Sequence, residues 1–140
     1  MSHIITKEYI DKITYKIIGC TIEVQRELGP GLLENVYEKC FLIEFENKAL
    51  RFKSQKKIYA DYKGFPLETN LRYDVLIEAL IVVELKSKEI IPAVDYKIPA
   101  TYMKLLRVPK GILINFHCTH IFREGQKTID NEHYASLPET

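Results

Sequence analysis

Two neighbouring segments, Leu71 to Ile77 (LRYDVLI) and Leu80 to Lys86 (LIVVELK), constrain this chain more than anything else in it. Both are rich in apolar residues, and the second in β-branched ones, as strands covered by helices are. Yet Asp74, Glu84 and Lys86 interrupt them. A charge in the middle of a buried strand is costly unless it is paired or used. Glu84 and Lys86 stand two apart, so they share one face of their strand. Asp74 joins them on that face only if the connection is odd in length, with Ile77 opposite Ile81 and Glu78-Ala79-Leu80 as the turn. A two-residue turn would send Asp74 to the other face.

The rest of the chain supplies what would cover such strands. Ile10, Ile13, Ile17, Cys20/Thr21, Val24 and Leu28 recur at helical steps, which predicts an amphipathic helix from about Thr6 to Leu28. Gly29-Pro30-Gly31 ends it. A second helix is expected from near Leu32, with Leu33, Val36/Tyr37, Cys40/Phe41 and Phe45 as its core stripe. Phe52 to Asp61 reads as a strand, followed by a turn at Tyr62-Lys63-Gly64. After the loop at Pro92, a third helix begins near Pro99 and ends near Arg107, with the proline in its first turn. Gly111 to Phe116 (GILINF) is a short, wholly apolar strand. His120 to Arg123 and Lys127 to Ile129 are expected as a terminal hairpin around Glu124-Gly125-Gln126. The order α-α-β-β-β-α-β predicts an α/β domain with a mixed central sheet flanked by helices. Residues 1–130 read as one domain and 131–140 as a flexible C-terminal tail.

Composition narrows the class. Twenty basic and nineteen acidic side chains among 140 residues exclude a polycation, though not a local basic groove. Cys20, Cys40 and Cys118 are widely spaced and odd in number, as expected of free thiols in a reducing compartment. Met1 to Asp11 carries His3, Lys7, Glu8 and Asp11, and so lacks the apolar stretch of a signal peptide. The longest apolar run, Ala79 to Val83, is too short for a membrane span. A cytoplasmic protein with no membrane partner is the expectation. His117-Cys118-Thr119-His120 has no second ligand pair near it, which argues against structural zinc. No GxSxG, GxGxxG or GxxxxGK[ST] motif is present. Arg51, Lys53, Lys56, Lys57 and Lys63 interleave with Phe52, Tyr59 and Tyr62, which reads equally as a nucleic-acid-facing stripe and as a solvated strand face.

Two carboxylates on one strand face make a hard-oxygen site suited to Mg²⁺ or Mn²⁺, ions that keep several waters. A lysine beside them can orient or deprotonate an attacking water, and cation and lysine together offset the charge that builds on a phosphate. The alternative is a cross-strand ion pair on an exposed face. Apolar neighbours on both sides of all three charges argue against full solvation.

Asp74 with Glu84-Leu85-Lys86, on adjacent strands between helices, resembles the PD-(D/E)XK nuclease superfamily. Gly31, Glu34 and Tyr37, in the run Gly29-Pro30-Gly31-Leu32-Leu33-Glu34-Asn35-Val36-Tyr37-Glu38, resemble the signature of the GxxExxY proteins. Tyr62-Lys63-Gly64, Tyr73-Asp74-Val75 and Gly111 to Phe116 extend the likeness over roughly residues 10–122. The resemblance implies a restriction-endonuclease-like core and a metal-dependent nuclease acting on nucleic acid, DNA before RNA. Asp74 and Glu84 would hold Mg²⁺ or Mn²⁺ with the Leu85 carbonyl, and Lys86 would activate water. Glu34 would approach the metal; it reads equally as a first-turn glutamate favoured by the helix dipole. Tyr37 reads as a core or hydrogen-bonding residue and Glu38 as solvated. Lys88, Tyr102 and Lys104 are candidate nucleic-acid contacts. Relatives often carry Gln four residues before the Tyr that aligns with Tyr102. Here that position is Ile98, followed by Pro99, and Asp95 stands where relatives often have His. This departure keeps two alternatives open, a non-catalytic nucleic-acid-binding module and a protein-interaction domain. A homodimer is a further option for clamping a duplex.

Overall fold

The connection between the two charged strands has the odd length that a shared face for Asp74 and Glu84 requires. In the computed structural model, which describes residues 4–140, Ile77 faces Ile81, Leu76 faces Val82 and Val75 faces Val83. Glu78 and Ala79 turn the chain with φ of 52° and 55°. Met1, Ser2 and His3, on which the reading of the N-terminus partly rests, lie outside the described residues.

The elements run α1 (Lys7–Leu28), α2 (Glu34–Asn47), β1 (Phe52–Tyr62), β2 (Phe65–Ile77), β3 (Ile81–Lys86), a 3₁₀ turn (Ala93–Lys97), α3 (Ile98–Leu106), β4 (Lys110–Asn115), a π turn (Ile121–Gly125), β5 (Gln126–Asp130) and α4 (Glu132–Ala135). The strands form one sheet in the order β1-β2-β3-β4-β5. All neighbours are antiparallel except β3 and β4, which are parallel. A parallel pair needs a crossover, and the 3₁₀ turn and α3 provide it. This is the mixed α/β architecture of a restriction-endonuclease-like fold.

Two apolar clusters hold the layers. Ile10, Ile13, Ile17 and Val24 of α1 pack with Tyr37, Phe41 and Phe45 of α2 over Val75, Ile77, Val83 and Leu85. Met103 of α3 and Val108 pack with Ile58, Tyr73 and Val82. Thr6 caps α1 by accepting a hydrogen bond from the Tyr9 amide at 3.0 Å. Gly29 closes the helix at φ 70°, ψ 179°, a region open to glycine.

Four expectations need correction. α2 starts at Glu34, so Leu33 precedes its first turn and is 74% exposed, and Val36 is exposed too; the buried stripe is Tyr37, Phe41 and Phe45. β2 begins at Phe65, not Leu71, because Lys63-Gly64 makes a two-residue turn at φ 51° and 86° that pairs Tyr62 with Phe65. No terminal hairpin forms. Ile121 is buried in the main core, and a Cβ on Gly125 would fall 2.6 Å from Cys118 Sγ, so this stretch packs inward as a π turn. Gln126–Asp130 then pairs with β4 instead. The segment after Asp130 is docked rather than loose. Asn131 caps α4, Tyr134 and Leu137 pack on the core, and the amides of Lys7 and Glu8 donate to the carbonyls of Pro138 and Glu139 at 2.8 and 3.0 Å.

The three cysteines are free thiols. Among the described residues no helix is long and apolar enough to cross a membrane.

Candidate functional site

Pairing between β2 and β3 runs from Ile77/Ile81 to Val75/Val83 and stops there. Asp74 and Glu84 come next. Here carboxylates take the place of strand carbonyls. The Asp74 amide donates to Glu84 Oε1 at 3.1 Å, and the Leu85 amide donates to Asp74 Oδ2 at 2.8 Å. The strands part, and the gap is filled by acid side chains. In an extended strand a residue's N–H and C=O leave on the same side, so the Leu85 carbonyl opens into this gap as well. The interrupted apolar pattern thus marks the point where the ladder gives way.

Glu84 is 6% exposed. Burial pushes its carboxyl up to about 9; the Asp74 charge adds to this, while the Asp74 amide and Lys86 oppose it. Two acid groups in one gap favour a shared proton or a cation.

β1 completes one wall. Gln55 lies between the pairs Ser54/Val75 and Lys56/Tyr73, with φ of 52°. A side chain in the left-handed region is uncommon and carries strain. Its Nε2 donates to Glu38 Oε1 at 2.9 Å and to Asp74 Oδ1 at 3.1 Å. Glu38, expected to be solvated, is therefore half-buried and tied to the site. Burial raises its pKa, with Asp74 and Glu34 adding and Gln55 opposing. Glu34, one helical turn earlier, is exposed at the start of α2 and makes no hydrogen bond or ion pair among the described residues. Its charge reaches Glu38.

The other wall comes from the crossover. Lys86 Nζ stands 3.9 Å from Asp95 Oδ2, and Lys88 Nζ 3.2 Å from the same oxygen. Asp95 is buried in the 3₁₀ turn. The Lys88 backbone is pinned by Asn115, whose side chain accepts from its amide at 3.1 Å and donates to its carbonyl at 2.9 Å. Tyr102, half-buried on α3, has its hydroxyl pKa raised by burial and then by the charges of Glu84 and Asp74. Lys104 is exposed two residues further on, on the opposite side of the helix, and is not brought to the site. Ile98 is the first residue of α3.

Tyr37 is structural. Its hydroxyl donates to the Gly29 carbonyl at 2.5 Å and accepts the Leu32 amide at 3.1 Å, and its ring stacks on Phe116 at 4.3 Å. The loop it ties down is also fastened to the end of β3, where Ser87 Oγ donates to the Leu32 carbonyl at 2.6 Å.

Sequence reasoning missed Gln55 and undervalued Glu38. The four-residue spacing from Glu34 puts Glu38 on the same helix face and was available as a signal. Nothing in the sequence marks a left-handed Gln55.

The donor set fits a hard divalent cation. Asp74 and Glu84 are acidic oxygen donors set close together, and Glu84 is buried. Among the described residues no group of three or more His, Cys, Asp or Glu side chains forms a metal cage. Mg²⁺ and Mn²⁺ do not need one, since water and substrate oxygens fill their other positions.

No curated protein and no solved structure matches the chain. Residues 11–129 match the family model of the PD-(D/E)XK nuclease superfamily. With the match spanning most of the chain and the acid pair set at the parting of β2 and β3, the chain belongs to the PD-(D/E)XK nuclease superfamily.

Proposed function

We propose that this chain is a divalent-metal-dependent nuclease of the GxxExxY type that hydrolyses phosphodiester bonds in DNA. The observation that carries the reading is the Asp74–Glu84 acid pair, one member buried, with Lys86 on the same strand face as Glu84. Asp74 and Glu84 would hold Mg²⁺ or Mn²⁺, with the Leu85 carbonyl as the main-chain donor. The cation supplies charge neutralisation at the phosphoryl group and a more acidic water. Asp74 is fixed for this by Gln55 and the Leu85 amide. Lys86, oriented by Asp95, presents its ammonium to the phosphate and to the attacking water. Tyr102 of α3, whose hydroxyl feels the charges of Glu84 and Asp74, would offer that hydroxyl to a phosphate oxygen. Glu38 acts through Gln55 as a positioning residue. Hydrolysis adds one water across a P–O bond: the water oxygen bonds to phosphorus and the sugar oxygen leaves with the proton.

A second reading, a DNA-binding module without cleavage, is favoured by one feature, Ile98 at the position where the resemblance implies Gln. Calorimetry with Mn²⁺ on wild type and Glu84→Ala, followed by incubation with single- and double-stranded DNA, separates the two. The nuclease reading expects metal binding and cutting by wild type and neither by Glu84→Ala. Absence of Mn²⁺ binding at millimolar concentration overturns it.

A further inference from the structure

β1 and β2 continue past the layers that cover the rest of the sheet. From Phe65 to Arg72 every residue but Thr69 is exposed, and on β1 so are Tyr59, Asp61 and Tyr62. The pair runs on as a two-stranded ribbon with water on both sides. Tyr62 and Phe65 face each other at its tip, 60% and 70% exposed. Tyr59, Leu67 and Leu71 are exposed along it. A ribbon of this kind is marginal on its own, and its large side chains have no cover within the chain.

Its charge is one-sided. Residues 53–72 carry five basic and two acidic side chains, while the other 120 residues carry fifteen and seventeen. Lys57 is paired with Glu68 at 2.9 Å. Lys53, Lys56, Lys63 and Arg72 form no ion pair among the described residues. The basic stripe seen in the sequence thus divides. Arg51 is bound to Glu78 at 2.9 Å and Phe52 packs on Phe45, whereas further out Lys56 and Arg72 form no ion pair among the described residues and Lys63 lies over the Tyr62 ring, 5.5 Å from its centre.

The ribbon also springs from the site. Its root is the strand pair at Gln55 and Asp74, and Lys56 faces Tyr73 one step beyond. A polymer seated at the acid pair and continuing in this direction runs along the ribbon.

We propose that the β1–β2 ribbon is an arm that lies in the major groove of double-helical DNA. A B-form major groove, about 12 Å wide, admits a two-stranded ribbon, whereas the major groove of A-form RNA is too narrow for side-chain readout. Lys56, Lys63 and Arg72 contact phosphates on the groove edges, and Tyr62 and Phe65 offer apolar faces to the base edges. The choice of nucleic acid as partner rests on the nuclease reading; the use of the ribbon rests on its exposure and charge.

The test is fluorescence anisotropy with a duplex DNA of about 20 base pairs, long enough for two turns of helix. Binding is measured in EDTA, so that no cleavage enters, over about 50–200 mM salt. The triple variant Lys56→Gln/Lys63→Gln/Arg72→Gln is expected to bind at least about tenfold more weakly at the low-salt end, with a log–log salt slope smaller by about 2.7. Tyr62→Ser/Phe65→Ser should weaken binding with the slope unchanged. Melting temperature verifies that both variants are folded. The proposal is overturned if the triple variant keeps the wild-type affinity and slope, or if duplex RNA binds as tightly as duplex DNA. It is also overturned if wild type sediments as a dimer that Tyr62→Ser/Phe65→Ser dissociates without weakening DNA binding. Failure of the nuclease reading looks different. Cleavage would be absent with Mn²⁺ while arm-dependent binding in EDTA persists.

Discussion

Glu84 and Lys110 are both buried charges on neighbouring strands, 6% and 7% exposed, and their surroundings differ in sign. Lys110 meets its opposite: Asp130 Oδ1 lies 2.5 Å from its Nζ and the Tyr134 ring centre 5.0 Å away. Glu84 meets its like, Asp74. The first arrangement fastens β5 and α4 to the sheet and asks for nothing more. The second leaves electrostatic work undone that only a proton or a cation completes. A buried charge by itself does not mark a site; a buried charge facing its own kind does.

The comparison can be broken most decisively through activity. Glu84→Gln keeps the shape and the hydrogen bond from the Asp74 amide but removes the carboxylate proposed to hold the cation, so cleavage with Mn²⁺ should fall by about 10³-fold or more. Retained cleavage would assign the chemistry elsewhere.

Next comes the structural charge. Asp130→Ala strands Lys110 in the sheet and should cost about 3 kcal/mol in chemical denaturation, with cleavage unchanged well below the melt. A loss under 1 kcal/mol would mean that Lys110 reaches water without help.

The same Glu84→Gln change should stabilise the metal-free protein. Glu84 titrates at 4.5 when unperturbed and at about 9 in the fold. Below pH ~4.5 both states hold the proton and the group costs nothing. Between ~4.5 and ~9 the unfolded chain releases it and the folded protein does not, so this group lowers stability as pH rises, levelling off above ~9. The gain from Gln should be near zero at pH ~4.5 and grow to several kcal/mol by pH ~8, read from urea melts in EDTA. A pH-independent difference would contradict the burial argument.

On the proposed function, a cation bound at Glu84 would displace that proton. Mn²⁺ affinity is expected to rise about tenfold per pH unit from ~7 to ~9, with proton release detectable by calorimetry in buffers of different ionisation enthalpy. The smallest effect belongs to Gln55→Gly. It relieves a left-handed φ by about 1 kcal/mol or less while cutting the link from Glu38 to Asp74, so the melting point should hold or rise as cleavage drops about tenfold.

Much of this was legible beforehand because it rests on periodicity. The helical recurrence from Ile10 to Leu28 follows from residue spacing alone, and the odd connection between Ile77 and Ile81 from requiring Asp74 and Glu84 to share a face. So does the start of the third helix beside Pro99. What escaped the sequence depends on backbone states or distant packing. Phe65 to Asn70 does not alternate, because a ribbon with two wet faces has no inside to pattern. Gly125 looked like a hairpin tip and is instead a packing site against Cys118. Glu38 looked like any polar helix residue until Gln55, bent into the left-handed region, reached it from β1. The Asp74, Glu84 and Lys86 constellation could be read from sequence; the residues that orient it could not.

One further feature bears on how the molecule opens. The first amides of α1 have no partners within their own helix, and Pro138 and Glu139 supply carbonyls for two of them. Two segments some 130 residues apart are therefore tied together, and are expected to open together. Hydrogen exchange at Lys7 and Glu8 reports undocking of the last turn as faithfully as fraying of the first. Trimming the chain after Leu137 should raise exchange at the opposite end before it alters anything near the acid pair.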